Sequence, residues 1–233
     1  MGRRNTYSEH TKRPLNCLAF IAIPLVCFHW GASYYGTPLL APYDVGRVLR
    51  AIGGASAILP PFSIVVVLLV LQVVHRERWR VQPKVLAGML GESIFWLIPL
   101  IGINLITGKM FLHAPGTTAT ETVIQELLVS VGAGVYEEFV FRLMMIGLAM
   151  LLLVDGLDLP ETAIATVTIL ASAALFSLYH FTGKGINWSD FPWYEFVFRT
   201  VAGVYLGGVF YYRGFGIAVA VHTFFNIYVF MAA

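Results

Sequence analysis

Apolar runs separated by short polar clusters dominate the chain. Predominantly apolar windows extend from Leu15 to Tyr35, Ala51 to Val74, Val85 to Ile106, Thr122 to Val154, Glu161 to Phe181, Tyr194 to Tyr212 and Phe215 to Ala233. A helix that crosses a bilayer takes about 20 apolar residues, so each window reads as a membrane span. The fourth window holds 33 residues, about 50 Å of helix against a hydrocarbon core of about 30 Å. It must tilt, protrude or break, and Gly132 and Gly134 are its natural weak point. Interior prolines at Pro24, Pro60, Pro61 and Pro99 are tolerable because neighbouring membrane helices satisfy the freed carbonyls. No internal repeat or soluble domain interrupts the series. The expectation is an all-α polytopic membrane bundle of about seven to eight transmembrane helices.

Composition agrees with that reading. Of 233 residues, 58% are hydrophobic and 12% charged, with a mean hydropathy of +0.76; soluble domains have about 45–50% apolar and 25% charged residues. Fifteen Lys and Arg against 13 Asp and Glu leave no basic surface for nucleic acid, and so little charge argues against a disordered chain. What charge there is sets orientation. The N-terminal tail carries Arg3, Arg4, Lys12 and Arg13, and the loop from His75 to Lys84 carries Arg76, Arg78, Arg80 and Lys84. Both are expected to be cytoplasmic with two spans between them, in a multi-pass protein of the plasma membrane. The run from Leu15 to Trp30 is long for a signal peptide and reads as a retained first span. Cys17 and Cys27 have neither CxxC spacing nor a second pair, so they read as small buried residues.

Several chemistries are absent. Asp44, Asp155, Asp158 and Asp190 all fall in loops, which removes an intramembrane aspartyl protease. No GxSxG, HExxH or Walker A pattern occurs. An ionised side chain near the bilayer centre costs about 2.5–3.5 kcal/mol on insertion scales, so the few charges left inside spans carry weight. In the fourth span stands Tyr136-Glu137-Glu138-Phe139-Val140-Phe141-Arg142. Glu138 and Arg142 are an i,i+4 pair that can neutralise each other, whereas Glu137 points about 100° away with no partner on its own helix. Two acids in such different surroundings are how a site separates its roles. The same spacing relates Phe176 to His180 in the fifth span and His222 to Asn226 in the seventh.

These three motifs, in this order and each on an apolar span, resemble the CAAX protease and bacteriocin-processing (CPBP, also ABI) family of intramembrane endopeptidases. The likeness covers roughly Glu121 to Ala233. It divides the chain into an N-terminal transmembrane region of about three spans, residues 1–120, and a CPBP-like catalytic membrane domain, residues 121–233. The resemblance implies that Glu137 is the catalytic carboxylate, supported by Glu138 and Arg142, that His180 helps hold the attacking water, and that His222 and Asn226 complete the site. It implies a membrane-associated protein or peptide as substrate, within membrane lipid. The chemistry is consistent with these residue types. Hydrolysis needs a base for water, and carboxylates removed from water bind protons more tightly. The tetrahedral oxyanion needs donors, which His222 and Asn226 can supply from one helix face. Glu137, His180 and His222 are also a His₂Glu set, the ligand count of a catalytic zinc. The metal-free arrangement is favoured because Glu138 and Asn226 suit a hydrogen-bond network. A proton- or ion-coupled carrier and a non-catalytic immunity or scaffold protein are the competing readings.

Depth is a check on the motif. His180 lies near the outer end of its span and His222 about 10–12 Å from the inner end of its own. They meet if the fifth helix continues past Phe181 towards Asn187, which is expected, or if the seventh sits obliquely. Among other polar residues, Glu92 either lines the site or pairs with a cation. Glu195 and Arg199 read as a structural ion pair, and Glu126 as facing outer headgroups. His10, His29, His75 and His113 read as interfacial, as do Trp79, Trp188 and Trp193.

Overall fold

Proline and glycine mark where the helices begin. The computed structural model describes residues 6–35, 43–47, 59–106, 120–181 and 188–232. After a short helix α1 (Tyr7–Lys12), Pro14 and Pro83 take the first positions of α2 (Pro14–Tyr35) and α4 (Pro83–Ile106), where a missing N–H leaves no carbonyl unpaired. Pro60 and Pro61 fall in the first turn of α3 (Leu59–Val74), not in the interior of a span. Pro160 and Pro192 cap α6 (Glu161–Tyr179) and α7 (Trp193–Arg213). The stretch between α2 and α3 includes one helical turn at 43–47. Gly214 separates α7 from α8 (Phe215–Met231) with φ of +95°, which favours glycine, and an added Cβ would lie 3.0 Å from Lys12 Cα and 3.1 Å from Thr11 O.

The protein is an all-helical membrane bundle, with no strand among the described residues. Pro14–Tyr35, Pro83–Ile106 and Glu161–Tyr179 are long and apolar enough to cross a membrane, and Pro60–Val74 and Phe215–Met231 are shorter apolar helices. Their outer faces expose large apolar side chains such as Ile98, Val167 and Ile106, the last 87% exposed. Water would not tolerate such a surface, but lipid does. The two remaining windows are helical too, and they hold most of the charges found inside the bundle. Helix α8 is the axis. From Phe215 to Thr223 it is buried on every face, enclosed by α2, α4, α5 (Thr120–Glu138) and α7. One core joins α2, α3, α5 and the start of α8, including Phe28, Leu68, Tyr136 and Phe139. A second joins α4, α7 and α8. Cys17 is buried, but Cys27 is exposed on α2, contrary to its expected burial.

Helix α5 (Thr120–Glu138) solves its excess length by widening. It does not break at Gly132 or Gly134 but runs on through π-helical segments at Phe139–Ile146 and Met150–Asp155. A π turn displaces carbonyls from their usual partners, and Ser172 on α6 donates to the Phe141 carbonyl at 2.5 Å. Gly134 serves close approach instead: a Cβ there would stand 2.9 Å from Thr223 N and 3.0 Å from Thr223 Cα on α8.

Candidate active site

The last α-helical turn of α5 carries Glu137 and Glu138 on different sides. Glu138 is fully buried and both its partners meet one oxygen: Oε1 lies 3.1 Å from Arg142 Nη1 and accepts from His222 Nδ1 at 2.8 Å, while Oε2 makes no hydrogen bond among the described residues. Arg142 is itself buried, donates Nη2–H to the Gly203 carbonyl at 3.3 Å, and lays its guanidinium 4.6 Å from the centre of the Phe176 ring. The i,i+4 pair therefore also clamps α7 and α8 onto α5. Glu137 is left facing two imidazoles. Its Oε1 is 3.8 Å from His180 Nε2, and its Oε2 is 3.7 Å from His222 Nε2. Those separations are too long for direct hydrogen bonds, yet one water could touch all three groups.

The imidazole tautomers follow from their other contacts. A carbonyl or carboxylate oxygen only accepts, so His180 Nδ1–H donates to the Phe176 carbonyl at 2.9 Å and His222 Nδ1–H to Glu138. In the neutral rings both Nε2 atoms are then acceptors aimed at the Glu137 carboxylate. Phe176 is the hub of this arrangement, edge-on to His180 at 4.8 Å and to His222 at 5.8 Å. Asn226, one turn past His222, lines the adjoining cavity of about 240 Å³. Its remaining walls are mostly apolar, among them Leu100, Val129, Phe198, Leu206 and Phe225.

His180 and His222 come together without a longer fifth helix. Helix α6 stops at Tyr179, and His180 is its C-cap with φ −66° and ψ −14°; residues 182–187 lie outside the described ones. Phe215, which starts α8, is itself buried within the bundle, and both imidazoles reach the Glu137 carboxylate.

Several further polar residues have defined places in the bundle. Glu126 and Arg199 both line the cavity, and the Arg199 guanidinium stacks 5.3 Å from the Phe181 ring centre and feels the charges of both Glu195 and Glu137. Glu92, which had two open readings, accepts from Arg213 Nε–H and Nη2–H along one guanidinium edge and from Trp96 Nε1–H at 2.9 Å, away from the cavity. His29 sits half-buried in α2, hydrogen-bonded to the Tyr136 hydroxyl. Asp44 accepts from Tyr179 O–H at 2.7 Å. A tyrosine directly before each of Glu137 and His180 was the only sequence sign of these contacts. Trp79 and Trp193 are exposed as belt residues would be; His113 and the Trp188 side chain lie outside the described residues.

No curated protein and no solved structure matches the chain. A family does: residues 119–228 match the family model described as type II CAAX prenyl endopeptidase Rce1-like. The matched region, a little under half of the chain, contains every residue of the Glu137 constellation and is similar to this family of membrane proteases.

Proposed function

We propose that the chain is an intramembrane endopeptidase that cleaves a peptide bond in a membrane-associated protein or peptide, from within the plasma membrane and with its N-terminus cytoplasmic. The observation that carries this reading is the division between two adjacent acids: Glu138 is consumed by Arg142 and His222, while Glu137 faces two Nε2 atoms at 3.7 and 3.8 Å. A water among these three groups has its two protons directed to Glu137 and His180, which leaves a lone pair for the scissile carbonyl. Glu137 takes the proton as the water attacks and returns it to the leaving amine. Asn226 donates to the oxyanion through its side-chain amide. His222 can join it through Nε2–H only as the imidazolium, because Nδ1–H is committed to Glu138.

A second reading rests on the same tautomers. Nδ1–H groups tied to a carboxylate and to a carbonyl are the usual support for histidines that ligate zinc through Nε2. Glu137, His180 and His222 fit such an ion in kind, and zinc held there would make a bound water more acidic. Their spacing fits less well as it stands: 3.7–3.8 Å exceeds the edge of about 3.3 Å that zinc bonds of about 2.0–2.1 Å imply. Among the described residues no three His, Cys, Asp or Glu side chains are placed to hold a metal.

Cleavage of a peptide library by the purified protein in detergent tests the reading, and the library should include prenylated C-terminal peptides. Glu137→Gln is expected to abolish cleavage and Asn226→Ala to lower kcat by about 10²–10³-fold. Undiminished cleavage by Glu137→Gln would remove the mechanism. Solute flux in liposomes without any cleavage would favour a carrier. Stoichiometric bound zinc, with activity lost on chelation and restored by zinc, would replace the metal-free route.

A further inference from the structure

Two hydrogen bonds reach the site from outside the family-matched region. Tyr136, fully buried, is bonded through its hydroxyl to His29 on α2 and packs edge-on to Phe28 at 5.8 Å. Tyr179 donates its hydroxyl to Asp44 at 2.7 Å and packs against Phe141 at 5.5 Å. The first tyrosine directly precedes Glu137 and the second directly precedes His180. His29 and Asp44 both lie in the N-terminal part of the chain, before residue 119 where the family match begins.

We infer that His29 and Asp44 are positioning residues, which act through Tyr136 and Tyr179 to hold Glu137 and His180 at their working separation. The inference rests on the endopeptidase reading. Its physical basis is the leverage of a side chain on a helix. A carboxylate about 5–6 Å from the helix axis moves about 1 Å when the helix rotates by about 10°, and 1 Å of misplacement can lower a rate about 10²-fold. Tyr136 fixes the rotation of α5 because its hydroxyl is tied to a different helix, α2. His180 needs a tether even more. It is the cap of α6, beyond the last helical residue, where helix ends fray. Its own fastenings, the Nδ1–H bond and the stacking, both go to Phe176 on the same helix. That helix end is tied to α7 by Ser177, which donates to the Phe196 carbonyl at 2.7 Å, and the Asp44–Tyr179 bond adds a second tie, one residue from His180. The turn at 43–47 is thereby part of the site although it carries no family motif.

The experiment uses the full chain, with two measurements. In the first, kcat and KM are measured on whichever library peptide is cleaved. A hydrogen bond worth about 0.5–1.5 kcal/mol net corresponds to a roughly three- to tenfold loss of kcat, and KM should stay within about twofold. Asp44→Ala and Tyr179→Phe should lose equally and their combination no more than either, as should His29→Ala with Tyr136→Phe. Asp44→Asn, whose amide oxygen still accepts, should restore activity. In the second, the His180 ring signals are followed by NMR in protein labelled with ¹⁵N-histidine and assigned through His180→Gln. They should shift and broaden in Asp44→Ala and Tyr179→Phe, and return in Asp44→Asn. Full kcat in the single variants, additive losses, or an unmoved His180 signal would overturn the inference. If no peptide is cleaved but the His180 signal responds as described, the tether stands and the endopeptidase reading falls.

Discussion

Arg142 heads the fully buried side chains by size, and removing it isolates an equally buried carboxylate. With the guanidinium present, Glu138 has its charge matched at 3.1 Å and can hold His222; with Arg142→Met it keeps only the imidazole. Breaking one side of a buried pair typically destabilises by about 3–5 kcal/mol, because the partner is left unsatisfied. Arg142→Met should therefore melt well below the unmodified protein in a detergent thermal scan. Arg142→Lys should recover only part, since an ammonium lacks the fork that reaches both Glu138 and the Gly203 carbonyl. Equal melting temperatures for all three proteins would mean that the pair does not hold the helices together. The Glu138–Arg142 pair was legible in the chain because both partners lie on one helix, where spacing predicts contact. The Tyr136–His29 and Tyr179–Asp44 contacts cross between elements and leave no periodic trace, so the sequence alone assigns no partner to His29 or Asp44.

Between elements, the distance that matters most to the site is that from α5 to α8, and Gly134 sets it. The glycine lies one turn before Glu137 and Glu138, and the residue it touches, Thr223, follows His222. A methyl group at this crossing meets backbone, which cannot swing aside as a side-chain tip can. Gly134→Ala should cost about 1–3 kcal/mol of stability through overpacking. It should also depress kcat more than a stability loss of that size explains, because the forced shift separates Glu137 from His222. Unchanged kcat at full occupancy of the folded state would show that the crossing tolerates movement. Apolar windows located the seven long helices among the described residues, since bilayer length and hydropathy dictate them, while the start of the second window, 51–58, lies outside the described residues. They could not distinguish a glycine that breaks a helix from one that admits a neighbour, because both depend on what lies opposite. The π segment at Phe139–Ile146 was hidden for the same reason: the hydroxyl that accompanies it, on Ser172, belongs to α6.

Across the whole molecule, the end opposite the His180 cap is fastened by a polar latch on α1. Arg213, at the end of α7, bonds Glu92 on α4 and donates to Ser8 Oγ at 2.7 Å. Burial and the nearby Glu92 push the Tyr7 hydroxyl up to about 12, so it stays protonated over the usable pH range. Further along, Asn16 Nδ2 donates to the His10 carbonyl at 2.9 Å, and Gln82 Nε2 donates to His10 Nδ1 at 3.2 Å. Burial, with Arg13 adding to it, lowers the proton affinity of His10 below the usual histidine value. That gives the latch a definite pH sense. Above about pH 6.5 the ring is neutral whether α1 is docked or free, and the docked state keeps its full advantage. As pH falls below that value the free segment takes up a proton first, and the advantage is lost as pH passes through the lowered value of the docked ring. Protonation of Nδ1 also removes the acceptor that Gln82 needs. Hydrogen exchange of residues 7–12 should therefore quicken between pH 7.5 and 5 beyond the intrinsic pH trend, and His10→Gln, which does not titrate, should flatten that excess. An excess that persists in His10→Gln would show that His10 is not the group that gives the latch its acid sensitivity.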